Sequence, residues 1–307
     1  MKKVLLSPSS FGSISLEPIR ILEKNGYETF NNPYGRKLKR EELILLAKDC
    51  CGVVAGVESY DKVVLDELKN LKCISRVGVG IDSIDVDYAK EKEIHVVNTP
   101  FGPTRSVAEL TIGLTFSLLR KIPFAHCNLK SKIWKKETGN LLFEKQIGVV
   151  GLGKIGKLVS ETFKNLGNQV NGYDLYPDNK WASKNEINIC SLNEIFENSD
   201  IITLHIPGSP NKLSLINEEL ILKMKNTSFL INVSRGGVVD ENHLYNALKS
   251  NNIAGAAIDV FNEEPYSGKL IDLNNVILTP HLGSYAAEGK LKMEIDAVEN
   301  LIKYFNK

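Results

Sequence analysis

Gln146-Ile147-Gly148-Val149-Val150-Gly151-Leu152-Gly153-Lys154-Ile155-Gly156-Lys157-Leu158 is the stretch whose reading decides the fold. An apolar run ends in Gly-x-Gly-x-x-Gly and passes directly into a helical pattern, 154–166. The next apolar run, Gln169–Tyr173, is followed by Asp174, 18 residues after Gly156. Strand, glycine turn, helix, strand and acid in this order are the parts of a dinucleotide-binding βαβ unit. Gly151 allows the tight turn, Gly153 lets the backbone approach a pyrophosphate, and Gly156 permits close helix–strand packing. The amides of Lys154 and Ile155, with the helix dipole behind them, favour phosphate charge. Asp174 would accept from the ribose hydroxyls and repel a 2′-phosphate. Leu175 and Tyr176 follow it, with no adjacent cation, so NAD is expected over NADP.

Outward from this unit, short apolar runs alternate with helical patterns along the whole chain. Strands are expected at Val4–Ser7, Gly52–Ala55, Ile74–Val77, His95–Asn98, Ile147–Val150, Gln169–Tyr173, Ile201–His205, Phe229–Val233, Gly255–Val260 and Val276–Leu278. Helices are expected at Glu41–Lys48, Val63–Lys69, Ser106–Arg120 and Glu241–Ser250. Continuous apolar strands between amphipathic helices predict an α/β protein of parallel sheets covered on both faces. Two such arrays follow one another, the first ending near Asn98. The helix-like tail Ala286–Lys307 has no strand of its own. Its return to the first array would give two doubly wound, Rossmann-like domains with a cleft between them. Helix 106–120 has few polar residues beyond its first turn, which requires broad burial, in the fold or at a subunit contact.

Composition narrows the function. Of 307 residues, 43% are hydrophobic and 24% charged, and 38 basic residues against 37 acidic ones leave a formal charge of +1. That balance offers no nucleic-acid footprint, and the lysines of 130–136 read as a solvated surface. Cys50, Cys51, Cys73, Cys127 and Cys190 lack metal-ligand spacing, so no metal is expected and reduced, mostly buried thiols are. The opening Met1-Lys2-Lys3-Val4-Leu5-Leu6 has too short an apolar run for a secretory segment and reads as a strand. The apolar stretch Leu110–Leu119 falls below the roughly 18 residues a membrane span needs. A cytoplasmic protein without membrane contact is the expectation.

Three further segments each place one reactive side chain just beyond a strand. Asn232-Val233-Ser234-Arg235-Gly236-Gly237 carries Arg235, Asp259-Val260-Phe261-Asn262-Glu263-Glu264-Pro265 carries Glu264, and Thr279-Pro280-His281-Leu282-Gly283-Ser284 carries His281. Ligands of open α/β sheets bind beyond the carboxyl ends of the strands, so all three are predicted at one edge with the glycine turn. A cation for a carboxylate and carbonyl, a proton donor and a group to keep that donor protonated are what hydride exchange with a 2-oxo acid requires. Taken singly, each residue reads equally as a surface ion pair, a solvated loop or a structural turn; their shared edge gives them meaning. His205, at the end of its strand, is expected to line the cofactor side without entering the chemistry, and His95 is expected in the core.

These residues resemble one family, the D-isomer-specific 2-hydroxyacid dehydrogenases, and most closely its phosphoglycerate dehydrogenase-like branch. The motifs are Gly78-Val79-Gly80-Ile81-Asp82-Ser83-Ile84-Asp85, Ser106-Val107-Ala108-Glu109-Leu110, the glycine fingerprint and the three segments above, and the resemblance covers nearly the whole chain. It implies an NAD-dependent oxidoreductase of a small 2-hydroxy/2-oxo acid, with 3-phosphoglycerate or the unphosphorylated hydroxypyruvate and glyoxylate as substrates. It implies a flavodoxin-like substrate domain of residues 1–98 with 286–307, a Rossmann NAD domain of residues 99–285, and a homodimer through the 106–120 region. Arg235 would bind the substrate carboxylate and carbonyl oxygen, His281 would be the acid/base, and Glu264 would hold its imidazole protonated for reduction. The amides of Val79 and Gly80 would cradle the carboxylate. Asp259 would meet the nicotinamide carboxamide, with Val233 and Gly283 on the cofactor side of the cleft.

The family also contains NAD-sensing corepressors, which makes a binding protein the reading from another class; the intact Arg–Glu–His set favours the enzyme. An amino-acid dehydrogenase of the general Rossmann type would place a lysine at the comparable position, and none stands there. The sequence departs from the family pattern at Pro103, where many relatives carry Asn, and at Pro207-Gly208-Ser209, in place of Pro-Leu-Thr. It departs again at Val57-Glu58-Ser59, where phosphoglycerate-specific relatives present Arg. Glu58 there would repel a phosphate, with Arg36, Lys37 or Arg76 left to substitute.

Overall fold

The computed structural model describes residues 2–100, 102–208 and 214–306, so Ser209 of the departing turn lies outside the described residues. The chain divides into two compact units, Met1–Pro103 with Ser284–Lys307, and Thr104–Gly283.

The first unit runs β1 (Lys2–Leu6), α1 (Glu17–Lys24), β2 (Tyr27–Asn31), α2 (Arg40–Ala47), β3 (Gly52–Ala55), α3 (Lys62–Glu67), β4 (Cys73–Arg76), α4 (Val86–Glu91) and β5 (His95–Asn98). The strands form one parallel sheet in the order β2-β1-β3-β4-β5. Alternate residues of each strand enter different cores. Val4 and Leu6 point to one side with Val54, and Leu5 to the other with Val53 and Ala55. Both faces are therefore covered, which is why these strands read as unbroken apolar runs.

The second unit runs α5 (Pro103–Leu119), α6 (Ile122–Lys130), β6 (Gln146–Val150), α7 (Lys154–Asn165), β7 (Gln169–Tyr173), α8 (Asn179–Lys184), β8 (Asn188–Ile189) and α9 (Leu192–Asn198). It continues through β9 (Ile201–Leu204), α10 (Glu218–Lys223), β10 (Phe229–Asn232), α11 (Glu241–Lys249), β11 (Gly255–Ile258) and β12 (Val276–Leu278). Its parallel sheet has the order β12-β11-β10-β9-β6-β7-β8, doubly wound about β6. Helix starts are set by side-chain caps. Asp178, Ser191, Asn217 and Asp240 each accept from an amide of the first turn of the helix they precede.

Helix α12 (Ala287–Phe305) belongs to the first unit, where the Ala297 carbonyl accepts from the Ser75 hydroxyl at 2.7 Å and Leu301 is fully buried. The Thr99 amide donates to Gly78 O and its hydroxyl accepts from the Gly78 amide at 2.8 Å, which ties this segment to the first sheet.

Helix α5 is a core element along most of its surface, burying Val107, Ala108, Leu114, Leu118 and Leu119. Its buried Thr111 and Thr115 hydroxyls donate to carbonyls one turn earlier, so its few polar groups are satisfied within the helix. Arg105, Glu109, Gly113 and Phe116 form an exposed stripe. His95 corrects the sequence reading: it is exposed at the start of β5 and stacks on Tyr304 with ring centroids 5.0 Å apart. Cys50 and Cys73 are buried as expected, whereas Cys127 is exposed.

Candidate active site

The glycine turn after β6 has the geometry its sequence promises. Gly151 has φ +95°, a conformation that disfavours side chains. A Cβ on Gly156 would lie 1.9 Å from the Gly151 carbonyl oxygen, so helix α7 can approach β6 only with glycine there. A Cβ on Gly153, by contrast, would meet nothing within 4 Å. Gly153 is the N-cap of α7 and supplies no side-chain cap, so the helix N-terminus at Lys154 and Ile155 is approached by backbone alone, a cradle suited to an anion. That cradle fits a dinucleotide pyrophosphate. Asp174 follows β7 and accepts from the Leu152 amide at 2.6 Å and the Tyr176 amide at 2.9 Å. It thus braces the glycine turn while standing at the end of the second strand.

His205 lies beside this turn: a Cβ on Gly151 would lie 2.5 Å from its carbonyl oxygen. Its Nε2 is 2.9 Å from the Thr203 hydroxyl, and burial holds the imidazole down at about 3. This ring stays neutral at ordinary pH, in line with a lining role outside the proton chemistry.

The acid/base pair is assembled from two strand ends. His281 and Glu264 meet directly, with Nδ1 at 2.8 Å from Oε2 and 3.1 Å from Oε1. A carboxylate on Nδ1 makes that nitrogen the N–H donor and leaves Nε2 directed away from the pair. Glu264 is itself fixed, since its Oε1 accepts from the Phe261 amide at 3.1 Å. His281 is a non-glycine residue at φ +55°, held there by its amide donating to Asp259 O at 2.9 Å.

Asp259 explains how that turn keeps its shape. Fully buried at the end of β11, it accepts from the Thr279 hydroxyl at 2.6 Å, the Leu282 amide at 2.7 Å and the Gly283 amide at 2.9 Å. Burial raises its carboxyl from the usual value, while these three bonds pull the other way. Sequence reading assigned Asp259 to the cofactor; the structure also makes it the floor of the His281 turn.

Arg235 follows β10, and its Nη1 donates to the Ser234 carbonyl at 2.7 Å. The turn beneath it is shaped by buried Asn232, which accepts from the Ser234 amide at 3.1 Å and hydroxyl at 2.7 Å and donates to Arg235 O at 3.2 Å. This turn packs directly on the Glu264 loop. A Cβ on Gly236 would lie 1.9 Å from Phe261 O, and Glu241 accepts from the Asn262 amide at 2.7 Å. Asn232, Gly236 and Glu241 were not singled out from sequence. Val233 is buried beside this turn.

In the first unit, Val79 is exposed and Gly80 half-exposed in the loop after β4. The Asn98 amide group donates to Val79 O at 2.6 Å, and Gly78 adopts φ +130°. Arg36 is engaged with Glu42 at 2.6 Å, and the Arg76 guanidinium bonds to the Val77 carbonyl. Glu58 departs most from expectation. It is 1% exposed and turned into the fold, so it presents no surface charge to a substrate.

Residues 112–283 match the family described as D-isomer specific 2-hydroxyacid dehydrogenase, NAD binding domain. The chain is 41% identical over 281 residues to the D-3-phosphoglycerate dehydrogenase of Methanocaldococcus jannaschii, covering 89% of this chain and 52% of that one. It spans about half the length of that curated relative. A crystal structure of a Thermus thermophilus protein superposes with a TM-score of 0.90 at 29% identity, covering 99% of this chain and 97% of the other. The apo-structure of Escherichia coli D-lactate dehydrogenase gives 0.87 at 28% identity, covering 100% of this chain and 97% of that one.

Proposed function

We propose that this chain, which belongs to the D-isomer-specific 2-hydroxyacid dehydrogenase family, is an NAD-dependent oxidoreductase of a small D-2-hydroxy/2-oxo acid, most like D-3-phosphoglycerate dehydrogenase. The observation that carries this reading is the His281 Nδ1–Glu264 Oε2 contact of 2.8 Å at the carboxyl edge of the sheet that bears the glycine cradle. When bound, NAD supplies or accepts the hydride. The chain's residues do the rest. The Lys154 and Ile155 amides and Asp174 hold the two ends of the adenosine diphosphate, with His205, Val233, Asp259 and Gly283 lining the remainder. Arg235 binds the substrate carboxylate and polarises the carbonyl. His281 Nε2 gives its proton to the carbonyl oxygen in reduction and takes it back in oxidation. Glu264 fixes the ring and balances the imidazolium charge. The Val79 and Gly80 amides hold the carboxylate from the substrate domain, which we assign to residues 1–98 and 286–307, with 99–285 as the NAD domain.

We further assign the protein to the cytoplasm, on its five free thiols, and to a homodimer. Among the described residues no helix is long and apolar enough to cross a membrane. Steady-state kinetics with NADH and a panel of 2-oxo acids test the activity: 3-phosphohydroxypyruvate, hydroxypyruvate, glyoxylate and pyruvate. Turnover of at least one is expected, and none from a folded protein that binds NADH would defeat the assignment. His281→Ala is expected to lose about a hundredfold or more in turnover, the range of general acid–base catalysis, with NADH affinity nearly unchanged. Full activity in that variant would remove the proton role.

A further inference from the structure

The first unit has its own topological switch point. In the order β2-β1-β3-β4-β5 the winding reverses between β1 and β3, and sheets of this order bind anionic ligands in the crevice beyond the carboxyl ends of those two strands. Here the residues at those two ends are Ser7 and Gly56, directly after β1 and β3. The Ser7 hydroxyl donates to Glu58 Oε2 at 2.7 Å, and the Gly56 amide approaches both Glu58 Oε2 and Ser7 Oγ at 3.0 Å. The fully buried Tyr60 places its hydroxyl 3.4 Å from Ser7 Oγ. Hydroxyl and amide donors converging in a buried crevice are the makings of an oxoanion hole.

The hole is filled from within. Residues 57–60 alternate outward and inward, so Val57 and Ser59 are exposed while Glu58 and Tyr60 are buried. Position 56 has been cleared for the carboxylate: a Cβ there would lie 2.8 Å from Glu58 Oε2. A buried acid tied to its neighbours in this way is costly to place unless the donors around it are matched to it.

We propose that the β1/β3 crevice is a small-oxoanion site occupied by the chain's own Glu58, and that this plug makes Glu58 a specificity-determining residue that keeps an external phosphate or carboxylate out. A substrate phosphate cannot use this crevice, so selection acts against phosphorylated 2-oxo acids there. The substrate half of this statement rests on the dehydrogenase reading; the site itself does not.

Glu58→Ala vacates the hole without adding bulk. In the full-length protein, thermal unfolding is followed in sodium acetate, in inorganic phosphate and in chloride of equal ionic strength. Acetate and phosphate are expected to raise the melting temperature of Glu58→Ala over its value in chloride, and to do less for the wild type. Glu58→Gln keeps an oxygen to accept from Ser7 and Gly56, leaves the hole filled, and should behave as wild type. The same anion response in all three proteins overturns the site. If Glu58→Ala does not fold in chloride, its refolding yield in acetate against chloride becomes the readout, and equal yields overturn the site. Kinetics then test selectivity. The ratio of kcat/KM on 3-phosphohydroxypyruvate to that on hydroxypyruvate should rise roughly tenfold or more in Glu58→Ala, the scale of one charge-assisted contact. An unchanged ratio overturns the specificity role. Absence of turnover on every 2-oxo acid of the panel in wild type would sink the dehydrogenase reading and leave the thermal test standing.

Discussion

At the scale of single residues, two groups at the ends of strands, Asp174 and His205, do more than their place in the sequence suggests. Asp174 stands where a ribose would reach it, but it also accepts from the Leu152 amide inside the glycine turn. Asp174→Ala is therefore expected to weaken NADH binding and to raise the NADPH-to-NADH efficiency ratio by about ten- to a hundredfold, the worth of one or two charge-assisted hydrogen bonds. Measured kcat/KM for both cofactors checks this, and an unchanged ratio would detach Asp174 from cofactor choice. His205 makes a prediction about pH. Its ordinary value is 6.5, and burial lowers it to about 3 in the folded chain. Between these values the unfolded chain takes up a proton that the folded chain refuses. The stability from keeping this ring neutral is thus complete above pH 6.5 and is lost as pH falls towards 3, at up to about 1.4 kcal/mol per pH unit. His205→Gln, measured without cofactor, should show a flatter fall in melting temperature between pH 7 and pH 5 than wild type. Parallel curves would assign the acid sensitivity elsewhere.

At the scale of elements, the loops after β10 and β11 behave as one piece, because Gly236 lies against the Phe261 carbonyl and Glu241 reaches the Asn262 amide. Gly236→Ala would put a methyl 1.9 Å from that oxygen, so one loop must move, and these loops carry Arg235 and Glu264. The expected result is a destabilisation of about 1–3 kcal/mol and a fall in kcat with NADH affinity largely retained, since the glycine cradle belongs to β6 and α7. Fluorescence titration of NADH beside turnover checks it, and normal kcat in the variant would show the loops to be independent. The elements that sequence reveals are those whose pattern has a single cause. Buried strands such as β6, β9 and β10 read as apolar runs because both faces are covered, and the glycine turn reads because backbone geometry permits few alternatives. β2 has one buried residue of five, and β8 is two exposed residues at a sheet edge, so neither carries the apolar run that marks a buried strand. The Arg, Glu and His loops were legible as strand ends. Their mutual support through Gly236, Asp259 and Glu241 was not, because these contacts join residues far apart in sequence and leave no periodic trace. Glu58 misleads for the same reason: a charged residue in a loop is ordinarily solvated, and only the donors of Ser7 and Gly56 make its burial intelligible.

At the scale of the whole molecule, the proposed dimer draws its support from where exposed apolar surface collects. Ile122, Leu129, Ile133, Trp134, Leu141 and Phe143 are all exposed within one stretch of the second unit, with Trp134 81% and Leu141 72% accessible. The exposed stripe of α5 adds Phe116, and Gly113 in mid-helix, where a Cβ would meet nothing within 4 Å of its own chain. A glycine inside a helix costs about 1 kcal/mol relative to alanine, and no contact among the described residues requires it. The close approach of a second copy would. Beside this surface lies a groove of about 610 Å³ lined by Leu118, Phe124 and Phe229 and rimmed by Lys121 and Glu137. Trp134 and Phe143 alone would bury roughly 300–500 Å² in such a contact, a large part of the roughly 800 Å² per partner typical of stable interfaces. Aromatic and apolar exposure concentrated in one stretch of the chain is the kind of surface an interface core uses. Sedimentation velocity at micromolar concentration should therefore report a dimer. Trp134→Glu, which buries a charge if the contact forms, should shift the protein to monomer with its far-UV circular dichroism unchanged. A wild-type monomer across the concentration series would remove the dimer, and a dimeric Trp134→Glu would move the contact off this face while leaving the unexplained Gly113 to mark another approach.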